Sequence, residues 1–137
     1  GALNAETLEV FTWIDQTINA QSTTALFATL EQNHQDAEHI YVILDNAGYN
    51  RNNLVTHYVN NSKIVPLFLP PYSPNLNLIE RLWRFFKKKV SNNRYYEKFR
   101  DFRQAVLTFF KRIQDYESEL DSLLVDNFQI VKPSFTI

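Results

Sequence analysis

The chain contains no cysteine, no methionine and only two glycines among its 137 residues. Without cysteine it can form neither disulfides nor cysteine-ligated zinc sites, which fits a reducing compartment. No apolar run reaches the roughly 18 residues that a membrane-spanning helix needs, and the N-terminus lacks a signal-peptide pattern. The lack of methionine indicates that Gly1 is not a native start. We therefore expect a protein of the cytoplasm that has no membrane partner.

Lysine and arginine are absent from residues 1–50, although the net charge of the whole chain is only −1. This segment carries a charge of −7, residues 51–112 carry +10, and residues 113–137 carry −4. Such segregated positive charge is typical of a surface that contacts a phosphate backbone. It also fits helices that merely display solvated bases, and the charge pattern alone leaves both interpretations open.

What the chain has in quantity is apolar surface: 45% of its residues are hydrophobic and 15% are aromatic. Length and composition together predict one packed domain. Hydrophobic periodicity predicts two strands of a hairpin and then alternating helices and strands. The predicted elements are a hairpin of Ala2–Leu3 and Leu8–Ile14, a helix over Ser22–Asn33 capped by Ser22 or Thr23, a strand at Ile40–Leu44, a helix over Asn52–Val59, a strand at Ile64–Leu69, a helix from about Asn77 to Val90 that breaks at Asn92–Asn93, a helix over Glu97–Tyr116, a turn or short helix over Ser118–Val125, and an extended or loose tail over Asp126–Ile137.

This order of elements predicts an α/β fold with a mixed sheet and helices on both faces. The continuous apolar run Ile40–Leu44 is typical of a strand buried on both faces. Pro66 removes one hydrogen-bond donor from the strand Ile64–Leu69, which predicts that this strand lies at a sheet edge.

Two acidic residues stand out by their positions. Asp45 follows the strand Ile40–Leu44, at the end where open α/β sheets bind ligands. Glu80 lies near the start of the helix that follows the Pro-rich turn Pro70–Pro74. Paired carboxylates at one rim suit Mg²⁺, and two such ions can support phosphoryl transfer. Two-metal sites usually need a third acidic ligand, which the sequence does not supply.

Each of these acids also has a purely structural interpretation. Asp45-Asn46-Ala47-Gly48 is a typical turn sequence, because Asp and Asn bond their own backbone and Gly tolerates positive φ. Asn77 and Glu80 have the spacing of a variant capping box at a helix start. The basic residues that follow Glu80, interleaved with Trp83, Tyr95 and Tyr96, suit phosphate contacts and base stacking but also fit a solvated helix face.

The run Leu44-Asp45-Asn46-Ala47, followed by LPPYSPNLNLIE over Leu69–Glu80 and then by Trp83, closely resembles bacterial insertion-sequence transposases of the mariner-like DDE superfamily. The resemblance is clear from Gly1 to about Val90. It implies an RNase H-like fold in which Asp45 and Glu80 are the second and third catalytic carboxylates and hold Mg²⁺ or Mn²⁺. Where that family usually has histidine, this chain has Asn50.

The resemblance further implies that Asn46 and Asn77 orient the metal ligands, and it gives the basic helix a role in DNA binding. The implied phosphate contacts are Arg81, Arg84, Lys87 and Lys88. The family's first carboxylate lies on a strand before the hairpin, so residues 1–137 would form a catalytic domain that is incomplete at its N-terminus. We expect DNA as the partner and a bacterial, nucleoid-associated location.

Two expectations follow from a missing first strand. The chain should cleave DNA poorly or not at all, because one of three carboxylates is absent. The sheet should have unpaired edges, which drive strands to pair between copies, so we expect a homodimer or a rearranged sheet. Two further interpretations stay open: a non-catalytic DNA-binding fragment of a decayed or split transposase, and a structural or interaction module in which Asp45 and Glu80 only cap elements.

Overall fold

The computed structural model describes residues 1–71 and 76–124. The predicted tail over Asp126–Ile137 and most of the Pro-rich turn lie outside the described residues. The strands are β1 (Ala2–Leu3), β2 (Val10–Phe11), β3 (Ile40–Leu44) and β4 (Ile64–Phe68). The helices are α1 (Ala20–Asn33), α2 (Asn53–Asn60), α3 (Leu78–Phe86), α4 (Phe99–Lys111) and α5 (Glu117–Leu124), with 3₁₀ turns at Gly48–Arg51 and Ile113–Tyr116 and a π-helical turn at Lys87–Ser91. No helix within these ranges has the length and apolar character to cross a membrane.

The four strands form two separate two-stranded sheets within the described residues. β1 and β2 pair antiparallel, with Ala2 opposite Phe11. β3 and β4 pair parallel and in register, from Ile40 opposite Ile64 to Leu44 opposite Phe68. The chain thus has the predicted mixed α/β fold, and its small sheets are compatible with an RNase H-like fold that lacks its first strand.

The outer edges of β3 and β4 differ in their hydrogen-bonding capacity. The ladder begins with Ile40 N–H donating to Lys63 O at 2.8 Å and ends with Leu69 N–H donating to Leu44 O at 2.9 Å. Because successive residues of a strand direct their amides to opposite sides, Tyr41 and Ile43 present theirs at the outer edge of β3. Pro66 belongs to the outward set of β4, so its missing N–H costs no ladder bond, as the edge prediction requires.

Helices cover both faces of the β1–β2 hairpin. On one side, Phe11 packs with the buried α1 residues Phe27 and Leu30, and with Val55 of α2. On the other side, Leu3, Leu8 and Val10 pack against a second cluster built from α3, α4 and α5. That cluster centres on Leu82, Phe85, Val90, Phe109, Leu120 and Leu124. The hairpin therefore lies between two hydrophobic clusters that share no helix.

The environment of β3 differs from the prediction of burial on both faces. Ile40, Val42 and Leu44 pack against the first cluster, whereas Tyr41 and Ile43 are 65% and 55% exposed. The sequence of a strand cannot reveal whether an element covers its second face. Here the described residues of α1 and α2 cover only one.

Several element boundaries also differ from the predictions. Strand β2 is far shorter than Leu8–Ile14. Helix α1 begins at Ala20, because Asn19 rather than Ser22 or Thr23 is its cap and accepts the Ser22 N–H at 3.0 Å. Helix α4 ends at Lys111, where Arg112 leaves helical geometry with φ −109°. The predicted break at Asn92–Asn93 is confirmed, since Asn93 has a positive φ of 58°.

Candidate active site

Asp45 lies one residue beyond β3 and opens a tight turn. Its Oδ1 accepts the Ala47 N–H at 3.1 Å, which is the turn chemistry that the sequence suggested. The same oxygen accepts Asn50 Nδ2 at 2.9 Å. Both hydrogen bonds described for this exposed carboxylate therefore reach Oδ1, and Oδ2 keeps its capacity to bind a cation.

Asn50 connects the Asp45 turn to helix α1. Its side chain is only 7% exposed, and its Oδ1 accepts the hydroxyl of the buried Thr23 at 3.3 Å. A buried amide bonded on both sides holds one orientation, because any rotation would leave a buried polar group unsatisfied. The Thr23–Asn50–Asp45 chain thus fixes the rotamer of the carboxylate. The sequence reasoning missed this link, since Thr23 and Asn50 lie far apart in the chain.

Asn46 fastens the ends of the two parallel strands together. Its Nδ2 donates to Leu69 O at 2.7 Å, and its Oδ1 accepts from the Arg51 guanidinium. Arg51 in turn lies 4.2 Å above the Phe68 ring centroid. Asn46 therefore positions the backbone from which Asp45 projects, and it makes no hydrogen bond to the carboxylate itself within the described residues.

Glu80 lies in the first turn of α3 and is exposed. Asn77 is the residue before this helix, but its side chain makes no capping hydrogen bond within the described residues; Glu80 N–H reaches its backbone O instead, at 3.1 Å. The side-chain half of a capping box is thus lacking, which weakens the interpretation of Glu80 as a mere helix cap.

The negative charges of Asp45 and Glu80 both act on the side chain of Tyr49. Burial, together with the negative charges of Asp45 and Glu80, raises the pKa of the Tyr49 phenol. Asp45, Tyr49, Asn50, Asn77 and Glu80 all line one cleft of about 670 Å³. The structure therefore brings the two predicted acids to one cleft, although they are distant in sequence. Tyr49 is a further residue of this cleft that the sequence reasoning did not single out.

The same cleft separates the two sheets. Its walls include Ala2 and Leu3 of β1 on one side and the whole of β3, Ile40–Leu44, on the other. The outward amides of β3 therefore border the cavity that also contains Asp45.

The donor set fits part of a divalent-cation site. Carboxylate oxygens are the ligands that Mg²⁺ prefers, and it commonly takes one or two of them from the protein. The described residues contain no group of three or more His, Cys, Asp or Glu side chains that could hold a metal ion. Glu6, Asp45 and Glu80 all line the cleft, but they do not come together as such a group.

The basic residues behind Glu80 fall into two groups. Arg84, Lys87 and Lys88 are exposed, and no ion pair joins them to another part of the chain that the structure describes. Arg81 is half-buried and its guanidinium contacts Leu123 O at 3.5 Å. Lys89, one of the basic residues whose sequence pattern suits phosphate contacts, bonds Glu119 at 2.9 Å and lies over the rings of Phe85 and Tyr116.

Comparison with known proteins identifies the class of protein to which this chain belongs. A family model described as DDE superfamily endonuclease matches residues 1–103, and the chain belongs to that family. It is also 33% identical over 75 residues to "Uncharacterized protein y4pE/y4sA" of Sinorhizobium fredii, an alignment that covers 54% of this chain. The chain spans about half the length of this curated relative, 53%. No solved structure matches.

Family membership gives a coarse functional assignment. The chain is a transposase-related DDE domain of the nuclease type. DDE superfamily nucleases generally use divalent metals, and DDE transposases act on DNA.

Proposed function

We propose that residues 1–137 are one catalytic domain, incomplete at its N-terminus, of a mariner-like bacterial insertion-sequence transposase. The whole enzyme would cleave DNA at transposon ends and join the 3′ ends to target DNA, in the cytoplasm and at the nucleoid. The observation that carries this proposal is the shared cleft of Asp45 and Glu80, which lies beside an exposed basic helix. The match of residues 1–103 to the DDE endonuclease family supports it.

In this proposal Asp45 and Glu80 hold Mg²⁺ or Mn²⁺, which, when bound, activates the attacking hydroxyl and stabilises the leaving oxygen. Asn50 keeps the Asp45 carboxylate in one orientation through its 2.9 Å bond. Asn46 fixes the strand ends, and Asn77 starts the helix that presents Glu80. Arg84, Lys87 and Lys88 contact DNA phosphates, and Arg81 does so from its half-buried position beside Leu123.

A metal-binding measurement tests the carboxylate assignment without requiring activity. Titration with Mn²⁺, followed by the loss of the free-ion electron paramagnetic resonance signal, should give weak binding that Asp45→Asn and Glu80→Gln each reduce about tenfold or more. Asp115→Asn is the matched control, because that carboxylate pairs with Arg112 and does not line the cleft. Equal Mn²⁺ affinity for all four proteins would exclude the assignment.

The purified chain should show little or no nicking of DNA, since it supplies two acidic ligands where three are usual. Robust Mg²⁺-dependent nicking that Asp45→Ala abolishes would contradict the proposal that the chain is catalytically incomplete.

A non-catalytic DNA-binding fragment is the second candidate function. The exposed side chains of Arg84, Lys87 and Lys88 support it, since they can contact phosphates without any metal. It predicts salt-dependent DNA binding without cleavage even after an upstream acidic strand is restored, whereas the transposase proposal predicts that restoration produces cleavage. A structural module is a weaker candidate, because Asn77 makes no side-chain cap with which Glu80 could share a purely capping role.

The outer edge of β3, along which no other described strand pairs, supports a proposal about assembly. Tyr41 and Ile43 keep outward amides there, while Pro66 blocks the corresponding edge of β4. Of the two outer edges, β3 is therefore the better template for another strand. We propose that the isolated chain forms a homodimer through this edge.

A further inference from the structure

The two most exposed large hydrophobic side chains of the described residues lie four positions apart, and neither belongs to the carboxylate cleft. Tyr95 is 91% exposed and Phe99 is 78% exposed. Four residues of chain span at most about 14 Å, so the backbone positions that carry the two rings lie close together. Contiguous apolar surface left in water marks interaction sites, whereas single scattered apolar residues do not.

The backbone that carries these rings is anchored by neighbouring side chains. The Tyr96 hydroxyl donates to Val90 O at 2.6 Å, and the Tyr96 ring packs edge-on against Phe102 at 5.5 Å. The ring centroids of Phe99 and Phe102 lie 6.4 Å apart. Tyr96 thus occupies the inner side of the segment, which leaves Tyr95 directed outward from a fixed backbone.

Positive charge surrounds the two rings. Residues 92–103 contain four bases and two acids: Arg94, Lys98, Arg100 and Arg103 against Glu97 and Asp101. All six are exposed, and Asp101 is already paired with Arg100 at 3.7 Å. Exposed aromatic rings among cations are what a protein needs to bind single-stranded nucleic acid, because bases stack on the rings while cations meet the phosphates.

We propose that Tyr95 and Phe99 form a stacking platform for unpaired nucleobases, with Arg94, Lys98 and Arg103 as its phosphate contacts. A fully paired duplex keeps its bases stacked on one another and cannot offer their faces to these rings. The platform therefore selects single-stranded or unpaired DNA over duplex. This inference rests on the proposed function only in taking DNA as the partner, since it requires neither metal nor cleavage.

Fluorescence anisotropy with a labelled oligo(dT) of about 12 nucleotides tests the platform, with a duplex of the same length as the comparison. Tyr95→Ala and Phe99→Ala should each weaken oligo(dT) binding by about 5-fold to 100-fold. Both should leave duplex affinity unchanged. Tyr95→Phe should bind like the unaltered chain, because it keeps the ring. Leu54→Ala is the control, since Leu54 is also an exposed apolar side chain, at 41%, but lies on α2 and does not line the cleft.

The salt dependence of binding separates stacking from charge. The two alanine variants should keep the slope of log affinity against log salt, whereas Arg94→Ala should lower its magnitude by about 0.7 for a single strand. Thermal melts should show that all variants fold, because the removed side chains are exposed.

Four outcomes would overturn the platform. The double variant Tyr95→Ala/Phe99→Ala could bind oligo(dT) as tightly as the unaltered chain, or lose single-strand and duplex affinity equally. The double substitution could instead convert a dimer to a monomer without changing oligo(dT) affinity, which would assign the rings to a second copy. Failure of the unaltered chain to bind either DNA would count against the proposed function as well.

Discussion

The buried side chain of Asn50 donates its Nδ2 hydrogen to Asp45 Oδ1 over 2.9 Å while its Oδ1 accepts the hydroxyl of Thr23. One amide thus connects the core of the domain to the rim of the cleft. Because the Asn50 amide has no ionisable proton, Asn50 itself stays neutral at every pH at which the protein is folded.

Asn50→Ala should lower the free energy of unfolding by about 0.5–1.5 kcal/mol, because it removes the hydrogen bonds of the Asn50 amide to Thr23 and Asp45, while the Thr23 hydroxyl keeps Asn19 O at 3.2 Å. Asn53→Ala, at an exposed position in the first turn of α2, should change it by less than about 0.5 kcal/mol. Urea unfolding followed by circular dichroism measures both. Equal stabilities for the two variants would show that the Asn50 side chain contributes nothing to the fold.

Ile43→Pro should reduce dimerisation, because it removes an outward amide of β3 and leaves the ladder to β4 intact. Ile43→Thr is the control, since it keeps the amide and the β-branched shape. Sedimentation velocity over a range of protein concentrations distinguishes the two. A monomeric unaltered chain would contradict the proposed dimer. A dimer that both variants preserve would place the interface elsewhere.

Lys88 and Lys89 should have opposite effects although they are adjacent. Lys88→Ala should weaken duplex binding and lower the salt slope by about 1, with stability unchanged. Lys89→Ala should leave DNA binding unchanged and destabilise the fold by about 1 kcal/mol, through loss of the Glu119 pair and the ring contacts. Filter binding at several salt concentrations and urea unfolding provide the two measurements. The same behaviour from both variants would contradict this division of the basic residues.

Tyr58 should make the stability of the fold fall at high pH. Burial and its hydrogen bond to Glu31 raise the pKa of the Tyr58 phenol to about 12, above the ordinary value of 10.0. The stabilisation is therefore fully present below pH 10 and is lost as the pH rises through about 12.

Stability measured from pH 9 to about 12 should decline more steeply for the unaltered chain than for Tyr58→Phe. Other tyrosines and lysines titrate in both proteins, so the difference isolates Tyr58. Parallel curves would mean that the pKa of the Tyr58 phenol is the same in the folded and the unfolded chain.

The elements that the sequence predicted correctly are those with a local cause. The turn after Leu44 follows from Asp45 and its neighbours, and the break at Asn93 follows from a residue type that tolerates positive φ. The predicted helix end at Tyr116 was wrong because the apolar stripe continues through the 3₁₀ turn Ile113–Tyr116, so periodicity alone could not locate Lys111. Tyr49 and the Thr23–Asn50 bond depend on where distant elements pack, and no local pattern reports that.

The β1–β2 hairpin, with only two residues in each strand, contacts both hydrophobic clusters. Its contacts with α3, α4 and α5 join residues at opposite ends of the described chain, and such long-range contacts form slowly because a large loop must close first. The cluster of α1, α2, β3 and β4 is built from nearer segments and should collapse earlier. Docking of the hairpin should therefore be the late, rate-limiting step of folding. Because the docked hairpin contacts both clusters, the two halves should unfold as one cooperative unit.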